Sequence, residues 1–79
     1  MQRYRNLSGD SGVDAYEPGD DFIKVRFRQG VVYWYTAASV GAAHVDVMKR
    51  LAHRGQGLGT YISQHAEVRD GYARKEPDD

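Results

Sequence analysis

The side chains that could do chemistry in this chain are cations, aromatics and glycines, because there is no cysteine. That removes thiol catalysis, a disulfide framework and a cysteine-ligated zinc site. Lys24, Arg26 and Trp34 fall at alternating positions in a β-rich stretch, so they would share one face of a strand pair, with Arg28 near its turn. A flat aromatic on such a face can stack on an unpaired base while the cations hold phosphates. Arg3 and Arg5 could extend that surface. These six residues form the candidate nucleic-acid site, although a cation opposite an aromatic is also ordinary cross-strand pairing.

A second candidate is the glycine-rich segment Arg54-Gly55-Gln56-Gly57-Leu58-Gly59-Thr60. Glycines at this spacing let backbone N–H groups converge on an anion at a helix start, which makes Arg54, Gly55, Gly57, Gly59 and Thr60 a candidate anion site. The segment resembles the coenzyme A pyrophosphate loop of the GNAT acetyltransferases. There the loop follows a strand within a larger α/β domain; here the preceding residues read as a helix. The bland alternative is a connection whose glycines cap one helix and permit close packing. His44, His53 and His65 show no metal-ligand spacing: His44 and His65 lie on apolar stripes and His53 in a basic turn. Ser, His and Asp occur without a nucleophile elbow. No catalytic residue, metal or cofactor is expected.

The elements that would position these residues centre on residues 22–36. Ile23, Val25 and Phe27 alternate with Lys24, Arg26 and Arg28, the period-2 signature of a half-buried strand. Val31 to Thr36 is rich in β-branched and aromatic residues. A three-residue loop, Arg28-Gln29-Gly30, needs only Gly30 in the left-handed region. It pairs Phe27 with Val31, Val25 with Tyr33 and Ile23 with Tyr35 on the core face. Lys24, Arg26, Val32, Trp34 and Thr36 then point outward, so Tyr33 and Tyr35 are expected to be more buried than Trp34. Val13-Asp14-Ala15-Tyr16 is a candidate earlier strand, followed by a turn at Glu17-Pro18-Gly19-Asp20-Asp21. Ser39 is the expected N-cap of a helix over 40–53 whose stripe of Val40, Ala43, Val47 and Leu51, widened by His44 and Met48, packs on the hairpin. A second helix is expected over 60–70, with Tyr61, His65, Val68 and Tyr72 on one stripe and Gly71 ending it. Tyr4, Tyr16, Tyr61 and Tyr72 should complete the core. The fold class is α+β: a three-stranded antiparallel meander packed against one or two C-terminal helices.

The 79 residues suit one small domain. Eleven basic and eleven acidic residues balance, but unevenly. From Phe22 to Lys75 nine Lys/Arg face only Asp46, Glu67 and Asp70, while acids gather over 10–21 and at Glu76, Asp78 and Asp79. A basic face for an anionic partner is therefore compatible with zero net charge. There is no long apolar run and no signal-like N-terminus, which fits a soluble, cytoplasmic chain without a membrane partner.

Tyr16-Glu17-Pro18, Ile23-x-Val25-x-Phe27, Gly30-x-Val32-Tyr33-x-Tyr35, Gly59-x-Tyr61 and Arg69-x-x-Tyr72 together resemble the KTSC domain. The family is named for the C-terminus of some lysyl-tRNA synthetases and also occurs as stand-alone bacterial proteins. Two features depart from it: the helix opens at Ser39 without the proline that members often carry, and the connection to Gly59 is longer. The resemblance implies a small β-plus-α domain with RNA binding as its suspected role, and it supplies no catalytic residues. Residues 1–10 then read as a flexible N-terminal arm, 11–75 as a single KTSC-like domain and 76–79 as a disordered tail. The expected function is a small non-enzymatic binding module for RNA. The alternatives are a protein–protein module using a hairpin edge or an apolar patch at Val32 and Trp34, and, behind it, a coenzyme A- or phosphate-binding protein using the glycine-rich loop.

Overall fold

Alternation and turn chemistry set the centre of the molecule as the residues dictate. The computed structural model describes residues 1–9 and 11–77; Asp10, the last residue of the expected arm, and Asp78 and Asp79 of the expected tail lie outside the described residues. The strands are β1 (Gln2–Arg3), β2 (Val13–Pro18), β3 (Phe22–Phe27), β4 (Val31–Thr36) and β5 (Arg74–Pro77). They form one antiparallel sheet in the order β1-β2-β3-β4-β5. Ile23 pairs with Tyr35 and Val25 with Tyr33, and Gly30 turns the hairpin at φ 83° while its N–H donates to Phe27 O at 2.9 Å. This is the expected three-residue loop, with its G1-type glycine. Tyr35 is fully buried as expected; Tyr33 and Trp34 are both half-buried.

A three-stranded meander undercounts this sheet. Gln2 and Arg3 pair with Tyr16 and Ala15, so the start of the chain is an edge strand and Tyr4 plunges into the core. At the other edge Arg74 to Pro77 pair with Trp34 to Val31, where the sequence read as the onset of a tail. Edge strands built from charge and proline carry no alternating apolar signal, because natural sheets blunt their edges in this way. β2 is bulged: Val13 faces Phe27 and Tyr16 faces Val25, with the pairing shifted between Val13 and Ala15. The extra residue lets Val13 and Tyr16, three apart, both reach the core.

The inner face is covered by α1 (Ala37–Val40), α2 (Ala42–Arg54), α3 (Leu58–Gln64) and α4 (Ala66–Arg69). Each of the two expected helices is divided. Thr36, not Ser39, is the N-cap: its hydroxyl accepts from Ser39 N at 3.0 Å, and Ser39 Oγ accepts from Thr36 N at 3.1 Å, a reciprocal capping box. Gly41, at φ 100°, then separates α1 from α2. Beyond that break the buried residues of α2 are Val45, Met48 and Ala52; of the expected stripe Met48 is buried, and Val40 and Leu51 pack partly buried against the core. His65, extended at φ −117° and ψ 95°, divides α3 from α4. Leu58, Ile62 and Val68 are buried there, while Tyr72 lies beyond the helix and stays 37% exposed. One core results, in which Ile23, Val25 and Tyr35 meet Tyr4, Met48, Leu58 and Val68.

Candidate functional site

The register brings Lys24, Arg26 and Trp34 together on the outer face of the sheet, with Arg3 at its edge beside Ala15. Arg28 stands exposed at the hairpin turn. Arg5 lies elsewhere: its Nη2 donates to His53 O and Arg54 O, each at 2.8 Å, closing the C-terminal end of α2. The six residues therefore occupy three places.

On the outer face the charges are already matched. Arg26 donates from Nε and Nη2 to Asp14 Oδ2, each at 3.0 Å, and Lys24 Nζ is 3.3 Å from Glu17. Arg74 is 3.2 Å from Glu76, which also accepts from Trp34 Nε1 at 2.9 Å. Phe22 stacks on Trp34 with centroids 5.5 Å apart, and Lys24 Nζ lies 4.2 Å from its ring centre. Trp34 is thus engaged at its ring and at its N–H. Val32 between the rows is 4% exposed and offers no apolar surface.

The glycine-rich segment follows a helix, not a strand. Gly55, left-handed at φ 80°, ends α2, and a Cβ there would come 2.7 Å from Arg5 Cβ. Gly57, at φ 89°, precedes α3, and Gly59 faces Ser11, whose Oγ would lie 3.1 Å from an added Cβ. Leu58 N, in the first turn, donates to Tyr4 Oη at 3.3 Å. Thr60 lines an open groove beside Gly57 and Gly59, whereas Arg54 is exposed at the end of α2. The segment does the packing and capping work that was its bland alternative.

The inner face holds a feature that strand patterning did not reveal. The helices leave the β4–β5 end partly uncovered, and an open groove of about 580 Å³ lies there. Phe27 and Tyr72 meet Tyr33 edge-on, at 5.3 and 4.9 Å between centroids. Lys75 Nζ sits 5.6 Å from the Tyr33 ring centre, and Gln29 and Arg69 stand at the margin. Tyr35 forms the deep wall; burial, then the neighbouring Tyr33 and Tyr72, push its phenol far above the usual range. Lys75 has no carboxylate partner among the described residues. The only sequence signal for this site was Tyr72 on a presumed helical stripe; with α4 ending at Arg69, that ring instead faces the sheet.

The histidines are hydrogen-bonded within the fold. His44 Nδ1 is 2.6 Å from Tyr61 Oη, and His65 Nδ1 donates to Tyr61 O at 2.8 Å, with the His65 ring stacked on Tyr61. Burial, and then Glu67, raise the Tyr61 phenol. His53 is exposed. Among the described residues no group of three or more His, Asp or Glu is disposed to hold a metal ion, and no helix is long and apolar enough to cross a membrane. Comparison with protein-family models, with curated proteins and with solved structures finds no match.

Proposed function

We propose that this chain is a non-enzymatic binding module that takes single-stranded RNA in the aromatic groove between β4, β5 and the α3–α4 segment. One observation carries the reading: Tyr72 and Tyr33 line an open groove whose Lys75 ammonium has no acidic partner among the described residues. Base–aromatic stacking needs a ring face not already occupied, and phosphate binding needs a cation not already neutralised. Tyr72 and Lys75 meet these conditions better than Trp34, Lys24 and Arg26. Gln29 supplies amide donors and acceptors for a base edge. The groove's volume lies in the ordinary range for ligand sites, roughly 300–1,000 Å³. The KTSC resemblance points toward the same partner class. The protein–protein alternative draws less support, because β1 is two residues long and β5 is charged and ends in Pro77.

Anisotropy of a labelled single-stranded RNA oligonucleotide tests the reading. Binding should weaken steeply with salt, and Tyr72→Ala should weaken it about tenfold, within the range of one lost base stack. Trp34→Phe should leave it within about twofold on the same stacking argument. Absence of binding at low salt ends the proposal, and loss on Trp34→Phe alone returns the site to the outer face.

A further inference from the structure

At the opposite edge of the sheet from the aromatic groove, β1 runs past the end of α2, and a small cleft of about 240 Å³ opens between them. Gln2, Arg3, Arg5, Tyr16, Ala52 and His53 line it. Arg54 follows in the same last turn of α2. We propose that this cleft is a binding site for a phosphate-class dianion.

Three observations converge on it. First, the cations here lack carboxylate partners. Lys24, Arg26, Arg69 and Arg74 each have a carboxylate within 3.3 Å, whereas Arg3, Arg5 and Arg54 have none among the described residues. Among the described residues no carboxylate lines the cleft. Second, one guanidinium is held in place. Two bonds from Arg5 Nη2 fix it against the carbonyls of His53 and Arg54, and its Cβ rests against Gly55. A guanidinium has five N–H donors in a rigid fork, so Nε and Nη1 keep three for a ligand, with the ordering cost already met by the fold. Third, the polar wall is oriented as a donor. The buried Tyr16 donates from Oη to Gln2 Oε1 at 3.0 Å, which turns the Gln2 amide N–H₂ away from that bond. A tetrahedral oxyanion accepts from guanidinium forks and amide donors in this way.

The ligand chemistry is a phosphate monoester or inorganic phosphate, and the test separates these sources. Backbone amide NMR of the intact chain is followed during titration at constant ionic strength with inorganic phosphate, with a nucleoside monophosphate and with the unphosphorylated nucleoside. Saturable shifts confined to Gln2, Arg3, Arg5 and the 52–54 turn are expected with both phosphates and not with the nucleoside. Tighter binding of the monophosphate assigns a phosphate ester; equal binding assigns the free anion. Arg5 also closes a helix end, so the decisive variants are the exposed Arg3→Gln and His53→Gln. Each should weaken phosphate at least fivefold while the amide spectrum stays folded. Shifts that never saturate, shifts spread over all cations, or variants that bind as tightly as the parent overturn the proposal. Tyr72→Ala should leave these shifts unchanged, so the cleft and the aromatic groove stand or fall separately.

Discussion

Tyr4 is where the fold is most sharply testable, because the start of the chain looks dispensable by composition and is not. The ring is 3% exposed and belongs to the same core as Val13, Leu58 and Ile62. Its hydroxyl accepts the N–H of Leu58, itself fully buried, in the first turn of α3. Tyr4 N also donates to Asp14 O at 3.0 Å, so the residue is tied at both main chain and side chain. Tyr4→Phe keeps the ring and removes only the acceptor. Leu58 N–H then lacks its partner, at a cost of about 1–2 kcal/mol, since a buried donor left unpaired loses its solvation without replacement. Tyr4→Ala removes the ring as well and should cost about 3–5 kcal/mol.

Against a total stability of roughly 4–12 kcal/mol for a chain of this length, the alanine variant forfeits a quarter or more. At about 4–8 °C per kcal/mol for a domain this small, Tm should fall by roughly 5–15 °C for Phe and by more for Ala. Urea unfolding followed by circular dichroism measures both. A loss below about 1 kcal/mol for Tyr4→Ala would mean that residues 1–5 are an arm after all and that β1 is not part of the cooperative fold.

Gly71 should tolerate no side chain. A Cβ there would overlap the carbonyl oxygen of Glu67 and come 3.1 Å from Val40 Cγ1, so Gly71→Ala must shift the α4–β5 connection; a loss of about 2–4 kcal/mol in urea melts is expected, and a neutral result refutes the close approach. Tyr35 should give an alkaline signature. Its phenol is raised in the fold, so its contribution is complete below pH 10, the ordinary tyrosine value, and is lost above it as the unfolded chain gives up a proton that the fold retains. The slope is about 1.4 kcal/mol per pH unit. Tyr35→Phe should flatten the fall in stability above pH 10, and an unchanged slope counts against the burial argument.

What could be read in advance depended on where the pattern has one solution. In residues 22–36 alternation alone allowed two registers one residue apart, and the left-handed turn position that Gly30 suits favoured the one the structure has. Over 40–53 two overlapping apolar faces were available, Val40–Ala43–Val47–Leu51 with His44 and Met48, and Val45–Met48–Ala52. Gly41 chose between them by adopting a positive φ that no periodicity registers. His65 is similar: nothing in its identity marks the extended backbone that divides α3 from α4. The edges were illegible for the opposite reason. Gln2-Arg3 and Arg74-Lys75-Glu76-Pro77 are polar because edge strands must resist pairing with other chains, so the property that protects them erases the strand signal. The candidate sites follow the same logic. Residue types could place Lys24, Arg26 and Trp34 on one face, but not the partners Asp14, Glu17 and Glu76, which arrive from β2 and β5.

Those partners decide the functional argument, because a cation's value to a ligand is what remains after its neighbours are counted. Exposed pairs such as Lys24–Glu17 stabilise the fold by about 1 kcal/mol or less, yet they locally cancel the field that would draw an anionic partner. Zero net charge is therefore reached unevenly. Acids matched to the central strands neutralise Lys24, Arg26 and Arg74, whereas Arg3, Arg5, Arg28, Lys49, Arg50, Arg54 and Lys75 have no carboxylate partner among the described residues. Of these, Arg3 on β1 and Lys75 on β5 lie on opposite edge strands of the sheet, roughly 19 Å apart at the usual strand spacing. Ligand contacts, if electrostatics guides them, should fall at those two margins and spare the middle of the sheet, the reverse of what alternation along β3 alone leads one to expect.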